Sequence, residues 1–141
     1  VAQANALESA RSYLAYSGFS RGSLIGQLEY EGFTTADAEF AVDTIAPDWN
    51  AEAVETGESY LSYSGFSRTG LIGQLEYEEF TPDQATYAVD TIAPDWNAEA
   101  VECAKDYLDY GSFSHQELVD QLIYEGFTPA EAEFGVASTG L

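Results

Sequence analysis

Residues 60–81, YLSYSGFSRTGLIGQLEYEEFT, decide how this chain is read. Two other stretches match it: residues 13–34, YLAYSGFSRGSLIGQLEYEGFT, and residues 107–128, YLDYGSFSHQELVDQLIYEGFT. Tyr13, Tyr60 and Tyr107 are 47 residues apart, and so are Phe33, Phe80 and Phe127. A fixed period of this size means an array of structural repeats. The units are expected at 1–47, 48–94 and 95–141.

Inside a unit the apolar residues recur at helical spacing. Leu7, Ala10 and Leu14, with Ala6 and Tyr13 alongside, predict a first helix over residues 4–17. Gly18 is expected to stop it in a left-handed conformation, with Phe19 making the usual hydrophobic contact. Ser20 caps a second helix over about 21–31, with Leu24, Ile25 and Leu28 inward and Gly32 closing it. Ser114-His-Gln-Glu117 reads as a capping box at the same place. Thr34 caps a third helix over 35–45, with Ala38, Ala41, Val42 and Ile45 inward. Thr81-Pro82-Asp83-Gln84 and Thr128-Pro129-Ala130-Glu131 repeat that start with proline at the first helical position. The joint Ile-Ala-Pro-Asp-Trp-Asn is identical at 45–50 and 92–97. Pro47 and Pro94 end one helix, and Asp48 and Asp95 cap the next. Trp49 and Trp96 are expected to pack where units meet. No strand-like alternation occurs. The fold class is therefore all-α: three tandem 47-residue, three-helix, helix-turn-helix-like repeats in an elongated array. Units this small need neighbour packing for stability.

Differences between copies carry information. Glu79 stands where the other copies have Gly32 and Gly126. If that position has positive φ, glutamate costs on the order of 1 kcal/mol there, so the middle turn is either strained or differently shaped. Gly22, Gly26, Gly70 and Gly73 loosen the second helix of the first two copies, which implies close backbone approach or a mobile helix. Copy three inverts a pair to Gly111-Ser112, and it ends without a further joint, where the array is expected to stop.

The chain carries 25 acidic against 4 basic side chains, a formal net charge of −21. With 45% hydrophobic and 14% aromatic residues it builds cores and is not a disordered acidic tail. The second and third helices outline a helix-turn-helix, but DNA reading needs cations at the groove. The outward positions instead carry Asp37, Glu39, Asp43, Asp83, Asp90, Glu131 and Glu133. Nucleic acid is excluded as a partner, and so is docking on an anionic membrane face. No apolar run approaches a membrane span, and no signal peptide opens the chain.

Catalysis finds no constellation: His115 has no nucleophile beside it, and no Gly-x-Ser-x-Gly elbow occurs. No small-molecule substrate, cofactor or metal is called for, since no calcium-type loop occurs. The single thiol, Cys103, reads as a small buried helix residue. The outer face of the third helix is the candidate binding surface. Phe40 beside Asp43 and Tyr87 beside Asp90 recur there, with Phe134 in copy three, and Glu76, Glu78 and Glu79 add charge. An aromatic beside acids suits a basic or amphipathic protein partner; the alternative is that these rings pack on a neighbouring unit or on the first helix. Tyr16, Tyr63 and Tyr110, with Tyr30, Tyr77 and Tyr124, are expected half-buried at core boundaries.

The motif Tyr-Leu-x-Tyr-Ser-Gly-Phe-Ser-Arg-x-x-Leu-Ile-x-Gln-Leu-Glu-Tyr-Glu-x-Phe, followed by Ala-x-x-Ala-Val-Asp, resembles the repeat of the Ltp-type host cell surface-exposed lipoproteins of Gram-positive bacteria and their temperate phages. The resemblance covers nearly the whole chain, and copy three departs most. It implies a repeat domain held on the extracellular face of the membrane by a lipid on a cysteine upstream of Val1. It also implies superinfection exclusion, in which phage-borne members block DNA injection by engaging a tape measure protein. Two other readings stay open: a structural or adhesive spacer, and an acidic mimic of DNA.

Overall fold

The computed structural model describes all 141 residues, Val1–Leu141. Nine helices follow one another without strands: α1 (Ala2–Tyr16), α2 (Arg21–Tyr30), α3 (Thr35–Ile45), α4 (Trp49–Tyr63), α5 (Arg68–Tyr77), α6 (Pro82–Ile92), α7 (Trp96–Tyr110), α8 (His115–Tyr124) and α9 (Pro129–Ala137). The caps lie where the side chains predict them. Ser20, Thr34, Asp48, Ser67, Thr81, Asp95, Ser114 and Thr128 each accept from the backbone three residues on. Each cap satisfies an otherwise orphaned N–H at a helix start.

Each unit closes its own core. In unit 1 it comprises Ala6 and Ala10 of α1, Leu24, Ile25 and Leu28 of α2, and Ala38, Ala41 and Val42 of α3. Units 2 and 3 bury the matching positions, including Leu71, Leu75 and Val89, and Leu118, Leu122 and Val136. Small residues let the first and third helices of a unit come close. At Gly135 of α9 a Cβ would sit 2.7 Å from the backbone of Ala100 in α7. Trp49 packs back onto the core of unit 1 and Trp96 onto that of unit 2, so each joint is anchored by the helix that leaves it.

One further device recurs three times and ties α1, α2 and the turn between them. The hydroxyl of Tyr13 donates to Glu31 and accepts from Gln27; Tyr60 with Glu78 and Gln74, and Tyr107 with Glu125 and Gln121, do the same. The same rings stand edge-on to Phe19, Phe66 and Phe113 at 5.7–5.9 Å between centroids, the favoured aromatic geometry.

Gly18 is not the left-handed stop expected of it. The residue before it is extended (Ser17, φ −157°), and the left-handed residues are Gly32, Gly126 and Gly140 with Ala46, Glu79 and Ala93. Ala46 and Ala93 turn the chain just before Pro47 and Pro94, a conformation that costs an L residue on the order of 1 kcal/mol. Gly18 is needed for another reason. A Cβ there would lie 2.9 Å from the carbonyl of Glu52 in the next unit, and Gly65 meets the carbonyl of Glu99 at the same distance. Ser112 holds this position in unit 3, so a further unit could not dock on it in the same way.

Glu79 is strained rather than differently shaped: its φ is +74°, against +100° and +106° at Gly32 and Gly126. Its side chain lies over Gly22 of unit 1, where a Cβ would come within 3.2 Å of it. At the second junction the sizes are exchanged. Thr69 replaces Gly22 and Gly126 replaces Glu79, and a Cβ on Gly126 would run into the Thr69 hydroxyl. Gly26 and Gly73, by contrast, face open space. The two junctions are therefore matched pairs with the large and small residues exchanged. Gly126→Glu should cost about 1 kcal/mol for the left-handed backbone plus the clash with Thr69. Adding Thr69→Gly should return the clash part, with a coupling of about 0.5–3 kcal/mol in urea denaturation. Strictly additive free energies would show that the two positions do not meet.

Candidate functional site: the junctions between units

The surface that makes this chain more than three separate bundles is the contact of one α1–α2 turn with the following unit. Ser20 Oγ accepts from the N–H of Ser23, capping α2, and donates to the carbonyl of Glu78 at the C-cap of α5 (2.5 Å). Ser67 repeats this with Gly70 and the carbonyl of Glu125 (2.6 Å). The positive end of one helix thus meets the negative end of another. Both hydroxyls are buried, whereas Ser114 of unit 3 is exposed. The turn also covers Phe80, and its counterpart covers Phe127; each is 3% exposed, while Phe33 of unit 1 is only half-buried.

Glu52 completes the first junction. Its carboxylate accepts from the N–H of Phe19 at 3.0 Å, and Glu99 accepts from Phe66 at 2.9 Å. Burial pushes the pKa of both above the ordinary glutamate value, with the backbone bond opposing that shift. Asn5 stands at the matching place in unit 1.

The residues expected to bind a partner fall into separate places. Phe40, Tyr87 and Phe134 are exposed, at 43%, 50% and 52%, on the outer face of the third helices. Asp43 and Asp90 beside them are not free acids. Arg21 reaches Asp43 through two bonds of 3.0 and 3.1 Å, and Arg68 holds Asp90 likewise at 3.0–3.3 Å. The guanidinium of Arg21 lowers the pKa of Asp43. Glu76 is exposed, Glu78 belongs to the Tyr60 lock and the junction, and Glu79 lies against Gly22. Unit 3 has Ala137 in place of the aspartate, and there His115 pairs with Glu133 at 2.9 Å. Its other ring nitrogen meets the carbonyl of Leu141, and the two contacts raise its pKa. Cys103 is half-buried against Gly65, and burial pushes its thiol up to about 12. Such a thiol is almost wholly protonated and a poor nucleophile.

Six tyrosines contradict their expected half-burial. Tyr16, Tyr63 and Tyr110 are 87–93% exposed, and Tyr30, Tyr77 and Tyr124 are 81–87% exposed. Each is the last residue of its helix, beyond the reach of the core stripe. Helical spacing alone could not separate a residue at the edge of that stripe from one past its end.

Two of the four basic side chains are thus occupied by Asp43 and Asp90, on a chain of net charge −21. What remains outside is acid interspersed with exposed rings in threefold repetition. The family model for host cell surface-exposed lipoproteins matches residues 2–45, 48–92 and 95–138.

The chain belongs to that family.

No curated protein and no solved structure matches it. The three matched segments coincide with the three cores, so the family unit is the three-helix bundle. The lipoprotein repeats contain no helix long and apolar enough to cross a membrane.

The desolvated junction glutamates predict a pH dependence. A carboxylate with a raised folded-state pKa binds its proton more tightly folded than unfolded. Its contribution therefore opposes folding at neutral pH and is relieved as pH falls toward the raised value, above the ordinary 4.5. Asp43 runs the other way: its stabilisation is present above its unfolded pKa and lost as pH falls through its lowered folded value. Tm should rise as pH falls from neutrality toward the raised glutamate values, then fall in stronger acid as Asp43 is protonated. Glu52→Gln with Glu99→Gln keeps an acceptor for Phe19 and Phe66. It should raise Tm at neutral pH and flatten the rise; unchanged slopes would remove these residues from the account.

Proposed function

We propose that the three repeats are a non-enzymatic protein-binding module, displayed outside the membrane by a lipid on an upstream cysteine. In this reading they exclude superinfecting phage by blocking DNA injection through a basic or amphipathic segment of the tape measure protein. The observation that carries the binding reading is the surface itself: exposed aromatic rings, repeated unit by unit, on a strongly acidic chain whose arginines are partly neutralised internally. Rings supply contact area at low entropic cost, and the charge raises the rate of encounter with a basic partner in a salt-dependent way. Nucleic acid fits neither the charge nor the helix faces.

A rigid spacer is the second reading, favoured by the hydrogen-bonded junctions. Infection separates the two. Cells displaying residues 1–141 through a lipid anchor should adsorb phage normally, yet intracellular phage DNA, measured by quantitative amplification, should drop at least about tenfold for a sensitive phage. Normal entry across a broad phage panel would leave the spacer reading standing and end the exclusion reading.

A further inference from the structure

Docking one unit on the next leaves a groove that neither unit has alone. The first, about 260 Å³, opens between Ser17 and Gly18 of unit 1 and Thr56, Tyr60, Tyr63 and Glu78 of unit 2. The second, about 240 Å³, opens between Ser64 and Gly65 of unit 2 and Cys103, Asp106, Tyr110 and Glu125 of unit 3. Their size suits the end of one long side chain rather than a folded ligand.

Both grooves hold the same two unmet groups. Tyr63 and Tyr110 present their rings to water at 87% and 93% exposure. Glu78 and Glu125 hold the groove side with one carboxylate oxygen, Oε1, engaged by Tyr60 or by Tyr107 and Gln121. The second oxygen of each has no protein donor. A ring face beside a half-used carboxylate is the pair of contacts that a guanidinium satisfies at once, stacking on the ring and donating in its own plane. The local charge has the right sign, because Glu78 lines the first groove and Glu125 with Asp106 lines the second.

The geometry points to the two inter-unit grooves as receptor sites for arginine side chains of one basic protein segment, with Tyr63 or Tyr110 stacking on the guanidinium and Glu78 or Glu125 accepting its N–H groups. This rests on the reading of the repeats as a module for a basic protein, and it names where such a protein is held. The sites come from joining units, so two junctions give two sites on one rigid frame. A partner that fills both gains through effective concentration rather than through new contacts. The second site takes its arginine more tightly, since Asp106 replaces Ser59 there.

The test uses a nine-residue arginine peptide titrated calorimetrically into the intact 141-residue chain at moderate salt. Tyr63→Ser with Tyr110→Ser removes the exposed ring of each groove without changing charge, leaving Tyr60 and Tyr107 in place. Tyr30→Ser with Tyr77→Ser is the control, removing two equally exposed rings from the ends of α2 and α5. Both pairs lie on the surface, so unchanged helicity by circular dichroism is expected. The groove variant should lose about five- to thirty-fold in affinity, while the control stays within about twofold. Equal affinities for the two variants would overturn the grooves and leave the basic-partner reading in place. A peptide that does not bind the unsubstituted chain would overturn the basic-partner reading and the grooves with it.

Discussion

One hydroxyl at each junction holds the array together. Ser20 and Ser67 each accept a bond from their own helix start and donate one to a helix end in the next unit. Both hydroxyls lie out of water, where an unpaired polar group costs about 1–3 kcal/mol. The bond forms only if the turn can approach the next unit closely. That demands glycine at 18 and 65, a carboxylate at 52 and 99 to take the N–H of Phe19 or Phe66, and a cover over Phe80 and Phe127. The remaining features of the junction follow from this contact.

The junction is polar, and the three cores stay separate. Stability is then close to a sum of unit terms and two neighbour terms, as in other repeat arrays. The neighbour terms contain a conflict. A half-buried glutamate opposes folding at neutral pH through desolvation, yet its removal would strand a backbone N–H. The chain keeps the glutamate at both junctions and has Asn5 where unit 1 presents no such contact. Within units the acids are treated differently. Asp43 and Asp90 are paired with arginine at the surface, where such pairs add little to stability but link α2 to α3 and α5 to α6.

The large exposed rings lie outside the three cores. Tyr16, Tyr63 and Tyr110 end their helices in water, and Phe40, Tyr87 and Phe134 are about half exposed. Scattered singly, such residues would be ordinary. Here they recur at the period of the fold, among acids, on a chain of the host cell surface-exposed lipoprotein family. That regularity ties them to what the repeats present outward rather than to what the units bury.

The sequence by itself determined the three units, their helices, their caps and their cores. Those depend on contacts within a few residues, or on apolar residues that recur at helical spacing, and both are visible along the chain. Part of the junction was also legible in principle. Copies one and two share Gly18 and Gly65 and differ from Ser112, while copies two and three share Glu52 and Glu99 and differ from Asn5. The first pair marks the face that leaves a unit, and the second pair marks the face that receives one. Only the tertiary structure decided that these faces meet, that Gly22 makes room for Glu79 while Gly126 makes room for Thr69, and that the terminal tyrosines stand in water. The tyrosines lie past the end of the core stripe, at the last residue of each helix. The other relations join residues 33 to 58 positions apart, as in the Phe19–Glu52 and Ser20–Glu78 bonds. No local propensity or periodicity carries information over that distance; packing of one folded unit on another creates it.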